Sequence, residues 1–88
     1  MKATDMLVIA SQIVASDRAN SHGDIHESMK MLSAIWSAYL GVKITSEDAC
    51  NMMVHLKQVR AKTGKKVADH YIDAAGYAAL AGQVKDDL

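Results

Sequence analysis

Several residue types are scarce in this sequence, and each scarcity excludes a class of protein. There is no proline and no phenylalanine, and Cys50 is the only cysteine. A lone cysteine cannot form an internal disulfide bond, so we expect a reducing compartment, the cytoplasm. The formal net charge is zero. Non-specific nucleic-acid binding depends on excess positive charge and is therefore not expected.

Long apolar runs are also missing. An unbroken apolar run such as the one at residues 6–10 is far too short to cross a membrane, so no membrane partner is expected. Lys2 precedes this run as in a signal peptide, but Asp5 and the polar residues 11–12 interrupt it, and we reject that interpretation. Half of the residues are hydrophobic, and alanine, methionine, leucine and isoleucine favour helices over strands.

Hydrophobic spacing and turn residues divide the chain into four predicted helices, over residues 5–18, 25–40, 46–62 and 67–85. The breaks contain Gly23, Gly41 and Gly64. Short connections favour antiparallel neighbours, so the sequence predicts one all-α domain over residues 1–88, a small four-helix bundle. A three-helix core with a loose first helix is the alternative.

Caps and apolar stripes support this division. Thr4 or Asp5 can cap the first helix. Asp24 can cap the second, with Glu27 as its reciprocal partner, and Thr45 can cap the third, with Asp48 at the reciprocal position. The predicted buried stripes are, in chain order, Met6, Ile9, Ala10, Ile13 and Val14; Met29, Leu32, Ile35, Trp36, Tyr39 and Leu40; Ala49, Met52, Met53, Leu56 and Val59; and Ile72, Ala75, Gly76, Ala79 and Leu80.

The fourth predicted helix is rich in small residues, including Gly76 and Gly82. Glycine costs about 0.5–1 kcal/mol relative to alanine inside a helix, so two glycines suggest the close approach of another backbone or of a ligand. A domain this small gains stability from association. We therefore expect a homo-oligomer, with a symmetric dimer formed through this helix as its simplest form.

An acidic pair lies on the same helix. Asp69 and Asp73 are four residues apart, which places both carboxylates on one face, and Gly76 and Tyr77 continue that face. Their mutual repulsion would become attraction around a bound Mg²⁺ ion, because hard cations prefer carboxylate oxygens. A base could stack on the ring of Tyr77. In the alternative, both aspartates are solvated and only complement the helix dipole.

A basic pair lies on the third helix. Lys57 and Arg60 are three residues apart, and Lys57 follows Met53 by four, so it borders the apolar stripe. Such a pair could hold phosphates, or it could be two ordinary snorkelling side chains. The turn at residues 22–24 could present backbone N–H groups to an anion, but capping by Asp24 explains it equally well.

The order of these motifs resembles a family of small phage and prophage proteins of unassigned function. The resemblance covers residues 18–81 and rests on Arg18, His-Gly-Asp at 22–24, Trp-Ser-Ala-Tyr-Leu at 36–40, Lys-x-x-Arg at 57–60 and Asp-x-x-x-Asp-x-x-Gly-Tyr at 69–77. It implies an all-helical protein of the host cytosol.

A more distant similarity is to MazG-type nucleoside triphosphate pyrophosphohydrolases and to phage nucleotide-modification-associated domains. In those proteins acidic helices hold magnesium and basic residues contact phosphates. The similarity implies Mg²⁺ at Asp69, Asp73 and Glu27. It also implies a nucleotide-binding site formed by Lys57, Arg60, Tyr77 and Arg18.

One difference from the MazG-type enzymes means that the similarity alone does not predict an enzymatic activity. MazG-type enzymes carry an earlier Glu-Glu-x-x-Glu helix, whereas this chain has only Asp24 with Glu27, or Glu47 with Asp48, at cap positions. Three functions follow as hypotheses: a magnesium-dependent pyrophosphohydrolase, a non-catalytic nucleotide-binding protein, and an interaction protein that binds and inhibits a host factor. The missing glutamates favour the second and third over the first, and the shared aspartate and Lys-x-x-Arg pattern favours the first two over the third. A nucleotide-related role is therefore the leading hypothesis, with the interaction protein as the alternative.

Overall fold

The computed structural model describes residues 1–17 and 25–87. Arg18 and the turn at 22–24 lie outside the described residues. Within the described ranges the chain forms four α-helices and no strand: α1 Ala3–Gln12, α2 Ile25–Leu40, α3 Ser46–Thr63 and α4 Val67–Asp87. A π-helical turn, Ile13–Asp17, continues α1. The prediction of a small all-α bundle is confirmed.

The first helix begins earlier than its sequence suggests. Lys2 occupies the N-cap position without a side-chain capping bond, and Met6 donates its backbone N–H to the Lys2 carbonyl at 3.1 Å. Thr4 and Asp5 therefore lie inside the helix, and the prediction that one of them caps it is wrong.

The link between α2 and α3 is held by local hydrogen bonds. Gly41 ends α2 with φ of +71°, a left-handed conformation that glycine adopts without strain, and its N–H donates to Ser37 at 2.9 Å. The Ser37 hydroxyl accepts the Ile44 N–H at 2.8 Å. Thr45 and Asp48 then form the predicted capping box, with both bonds at 3.0 Å.

The α3–α4 hairpin forms the centre of the fold, with α1 packed on α4 and α2 packed on α3. One hydrophobic cluster joins α2, α3 and α4, and its buried members are Met29, Ala49, Cys50, Leu80, Ala81 and Val84. Among the side chains that the structure describes, Cys50 is the largest that is fully buried. Alanine and cysteine side chains of this cluster thus lie beside larger ones, and Trp36, Met53 and Tyr77 pack against it while partly buried.

The predicted stripes are confirmed on α1 and over most of α4, and are partly wrong on α2 and α3. Leu56 and Val59 are exposed, because α3 turns the row Ala49, Met53, Lys57 and Ala61 toward α4 instead. Ala79 is also exposed on α4.

On α2 the outer residues of the predicted stripe, Ile35, Tyr39 and Leu40, are exposed, since only one side of this helix meets α3 and α4. Among the described residues, none of the helices combines the length and the hydropathy that crossing a bilayer requires.

Candidate functional site

An ion pair between α3 and α4 joins the basic and acidic motifs. Lys57 Nζ lies 3.1 Å from Asp73 Oδ2, and the side chains are only 14% and 16% exposed. Lys57 is drawn inward because it occupies the row of α3 that faces α4, four residues after Met53 and four before Ala61. The alternative in which both aspartates are solvated is therefore wrong for Asp73, although Asp69 is exposed.

Asp73 lies at the boundary of two adjoining cavities. The inner pocket, of about 50 Å³, is lined by apolar side chains of α1, α2 and α4, with Asp73 and Tyr77 as its polar members. This volume holds one or two water molecules. The outer cleft, of about 330 Å³, is lined by Ile9, Ile13, Asp69, Ile72 and Asp73. The outer cleft thus reaches the range of about 300–1,000 Å³ that is usual for small-molecule sites.

The structure brings together some of the predicted site residues. Asp69 and Asp73 both line the outer cleft, and Tyr77 lines the inner pocket together with Asp73. Lys57 is not among the described lining residues, and its link to the cavities is the ion pair with Asp73. Arg60 and Glu27 are exposed and are not among the described residues that line either cavity. Arg18 lies outside the described residues.

The acids do not form a three-ligand metal cluster. Within residues 1–17 and 25–87, no three His, Cys, Asp or Glu side chains come close enough to hold an ion. Mg²⁺, however, keeps several waters and is commonly held by one or two carboxylates together with the phosphates of its substrate. Asp69 and Asp73 therefore offer two carboxylates to a cation, without a third His, Cys, Asp or Glu ligand among the described residues.

Gly76 explains how α1 approaches the site. A Cβ atom at this position would lie 3.2 Å from the Val14 side chain, so the missing side chain leaves room for the π-helical turn. The sequence suggested that another backbone or a ligand comes close to the two glycines. At Gly76 the close neighbour is Val14 of the same chain. At Gly82 a Cβ atom would meet nothing within 4 Å.

Sequence reasoning missed the contribution of the π-helical turn. Ile13 belongs to both cavities, and Val14 lines the inner pocket. Short π-helical segments occur frequently at functional sites, because the extra residue in the turn redirects side chains. The apolar periodicity of residues 6–14 fits an ordinary α-helix, so no signal in the sequence marks this turn.

Cys50 and Asp48 have shifted pKa values, and the cause in each case is the position of the residue in the fold. Burial of Cys50 raises the pKa of its thiol, which favours the unreactive protonated form. The backbone N–H and the side chain of Thr45 hold the pKa of Asp48 below its ordinary value. Cys50 and Asp48 therefore belong to the core and to a helix cap, and neither has a role in the two cavities.

Comparison with known proteins identifies the family. A family model described as "Domain of unknown function (DUF6378)" matches residues 5–85. The chain belongs to this family. The resemblance to a family of small phage proteins is thereby confirmed, while the more distant similarity to MazG-type enzymes stays a prediction.

Two relatives come from mycobacteriophages. The chain is 36% identical over 76 residues to the Gene 55 protein of Mycobacterium phage L5, covering 85% of this chain and 49% of the relative. It is 27% identical over 78 residues to the Gene 55 protein of Mycobacterium phage D29, covering 89% of this chain and 52% of the relative. The chain thus spans about half the length of these curated relatives. No solved structure matches it.

Proposed function

We propose that this domain binds a nucleotide as its magnesium complex at the outer cleft. The observation that carries the proposal is the convergence of Asp69 and Asp73 on a cavity of ligand size, with Lys57 held against Asp73. The proposal concerns binding and assigns no catalytic residue.

The charges of the cleft favour a nucleotide bound to Mg²⁺ over a free nucleotide. Two carboxylates on one wall repel a bare phosphate, so the cleft disfavours a free nucleotide. A Mg²⁺ ion held here would reverse this, because its positive charge would attract the phosphates as well as the carboxylates. Asp69 and Asp73 would hold the ion, and Lys57 lies within reach of the same carboxylate to balance the charge.

The apolar walls suit the rest of a nucleotide. Ile9, Ile13 and Ile72 line the cleft beside the carboxylates, and a planar base can bury its faces against such side chains. Tyr77 lines the inner pocket together with Asp73, and the volume of about 50 Å³ there is too small for a base, so the apolar side chains of the outer cleft are the contacts proposed for it.

A thermal-shift screen tests the proposal. Common and modified nucleotides would each be added with Mg²⁺ or with a chelator, and Mg²⁺ would also be added alone. At about 100 times its dissociation constant a ligand stabilises the fold by roughly 2.7 kcal/mol. We expect at least one nucleotide to raise the melting temperature with Mg²⁺ present, and neither component to do so alone.

Two matched variants locate the site. Asp69→Asn and Asp5→Asn each remove one exposed carboxylate from the first turn of a helix, but only Asp69 lines the cleft. The shift should shrink in Asp69→Asn and persist in Asp5→Asn. A screen with no shift at all would contradict the nucleotide proposal and leave the host-interaction hypothesis in its place.

A further inference from the structure

The outer face of α2 is apolar although it is exposed. Met31, Ile35 and Tyr39 are 65%, 60% and 85% exposed, and they follow one another at intervals of four residues. Residues 31–42 include no charged side chain on any side of the helix. A helix without charges on its outer side is typical of buried positions, since solvent-facing sides normally carry charged residues.

The neighbouring helix shows what an ordinary outer face looks like in this molecule. On α3 the exposed positions include Gln58, Arg60 and Lys62 as well as Val59. Depletion of charge with enrichment of methionine and tyrosine distinguishes the centre of a protein interface from the rest of a surface. The outer face of α2 has this composition.

The charges at the two ends of the face identify a partner. Glu27 lies one turn before Met31 on α2, Lys43 lies in the link that follows the end of the helix at Leu40, and both are exposed. Ile35 is the midpoint between Met31 and Tyr39. An antiparallel pairing of two α2 helices about a two-fold axis at Ile35 therefore places Met31 opposite the partner's Tyr39, and it brings the acidic end of each face toward the basic end of the other.

We propose that the outer face of α2 binds the same face of a second copy of this chain, antiparallel, with Ile35 at the two-fold axis. Each half of this contact offers a methionine sulfur to an aromatic ring and a carboxylate to an ammonium group, both favourable pairings. No like charges meet across the face.

Analytical ultracentrifugation tests the contact. We expect wild type to sediment at twice its monomer mass of 9.5 kDa. Ile35→Glu should weaken association at least about tenfold, as for a residue at the centre of an interface. Val59→Glu is the matched control, since Val59 is 58% exposed on α3, and it should leave the dimer intact. A wild-type monomer at high micromolar concentration, or dissociation by Val59→Glu alone, would overturn the proposal.

A charge exchange tests the antiparallel register. Glu27→Lys should weaken the dimer at low salt, because it brings two basic ends together in place of an acidic and a basic end, and adding Lys43→Glu should restore it. If the double variant associates no better than Glu27→Lys, a different partner or register covers this face.

A cross-linking pair keeps the proposal testable if Ile35→Glu does not fold. Ala34→Cys places a thiol next to the axis, while Ala78→Cys places one on the exposed side of α4, and the native Cys50 is buried. A short bis-maleimide should link Ala34→Cys into dimers and leave Ala78→Cys monomeric. Equal linking of the two variants would contradict the proposal.

Discussion

At the scale of single residues, the Lys57–Asp73 pair is the feature that connects stability with the candidate site. Burying two charges costs desolvation energy, and their attraction repays it only when the geometry is good. The 3.1 Å separation satisfies this condition. The low exposure of both side chains also makes the pair more sensitive to its environment than a surface ion pair. A ligand that changes the charge around Asp73 will therefore change the stability of the α3–α4 contact.

Breaking this pair from one side should destabilise the fold. Lys57→Met leaves the Asp73 carboxylate half-buried without its ammonium partner, and we expect it to cost about 1–3 kcal/mol, between the values for exposed and buried pairs. The double variant Lys57→Met, Asp73→Leu should recover most of this loss, because two apolar side chains of similar size need no desolvation. Urea denaturation of the three proteins measures both effects. A double variant as unstable as the single one would show that packing, not charge, determines the cost.

At the scale of helices, much of the fold could be predicted from the sequence because its signals are local. Periodicity gave the bounds of α2 without error and those of α3 and α4 to within two residues. Thr45 and Asp48 act as predicted because both partners of a capping box lie within one turn. The exposed Ile35 and Val59 were wrongly predicted to be buried, since the sequence does not show which face of a helix its neighbours cover.

The candidate site was predictable to a lesser extent for the same reason. Local spacing places Asp69 and Asp73 on one face of α4, and the structure places both in one cleft. The ion pair with Lys57 depends on the rotation of α3 against α4, and the contribution of Ile13 depends on the π-helical turn. Both are tertiary features without a local signature.

The capping box on α3 should make stability depend on pH. The pKa of Asp48 is lowered from 3.8, first by the Thr45 backbone N–H and then by its hydroxyl. A lowered pKa in the folded state means that the stabilising contribution is complete above the unfolded value and is lost as the pH falls through the folded value. The stability gap between wild type and Asp48→Asn should therefore be largest near neutral pH and shrink below about 4.

Urea denaturation at neutral and acidic pH measures this gap. Thr45→Ala removes the other half of the box and should cost about 1 kcal/mol at neutral pH. A gap between wild type and Asp48→Asn that stays constant down to low pH would mean that the charge of Asp48 contributes nothing to the cap.

The two glycines of α4 should respond differently to the same substitution. Gly82→Ala places a Cβ atom in open space, so it should stabilise the helix by about 0.5–1 kcal/mol. In Gly76→Ala the new Cβ would lie 3.2 Å from Val14, which must move, so the gain should be smaller or absent. Thermal denaturation compares them, with about 4–8 °C expected per kcal/mol in a domain of this size. Equal gains would show that the π-helical turn yields freely at Val14.

At the scale of the whole molecule, a small core and a large apolar surface are two aspects of one arrangement. Among the described residues, half of the ten buried apolar side chains are alanines, and larger apolar residues such as Met31 and Ile35 remain exposed. A domain of this size buries little of its unfolded surface by itself. If a second copy covers α2, folding and association become coupled, and part of the stability of each chain comes from its partner.

This coupling predicts a melting temperature that rises with protein concentration. A tenfold increase in concentration favours a dimer by about 1.4 kcal/mol, which for two chains of this length corresponds to roughly 3–5 °C. Differential scanning calorimetry over a hundredfold range of concentration should show the rise for wild type and for Val59→Glu. Ile35→Glu should melt at a lower temperature that does not depend on concentration, because it unfolds as a monomer. A wild-type melting temperature that is independent of concentration would mean that the chain is stable alone and that the apolar face of α2 contributes nothing to its folding.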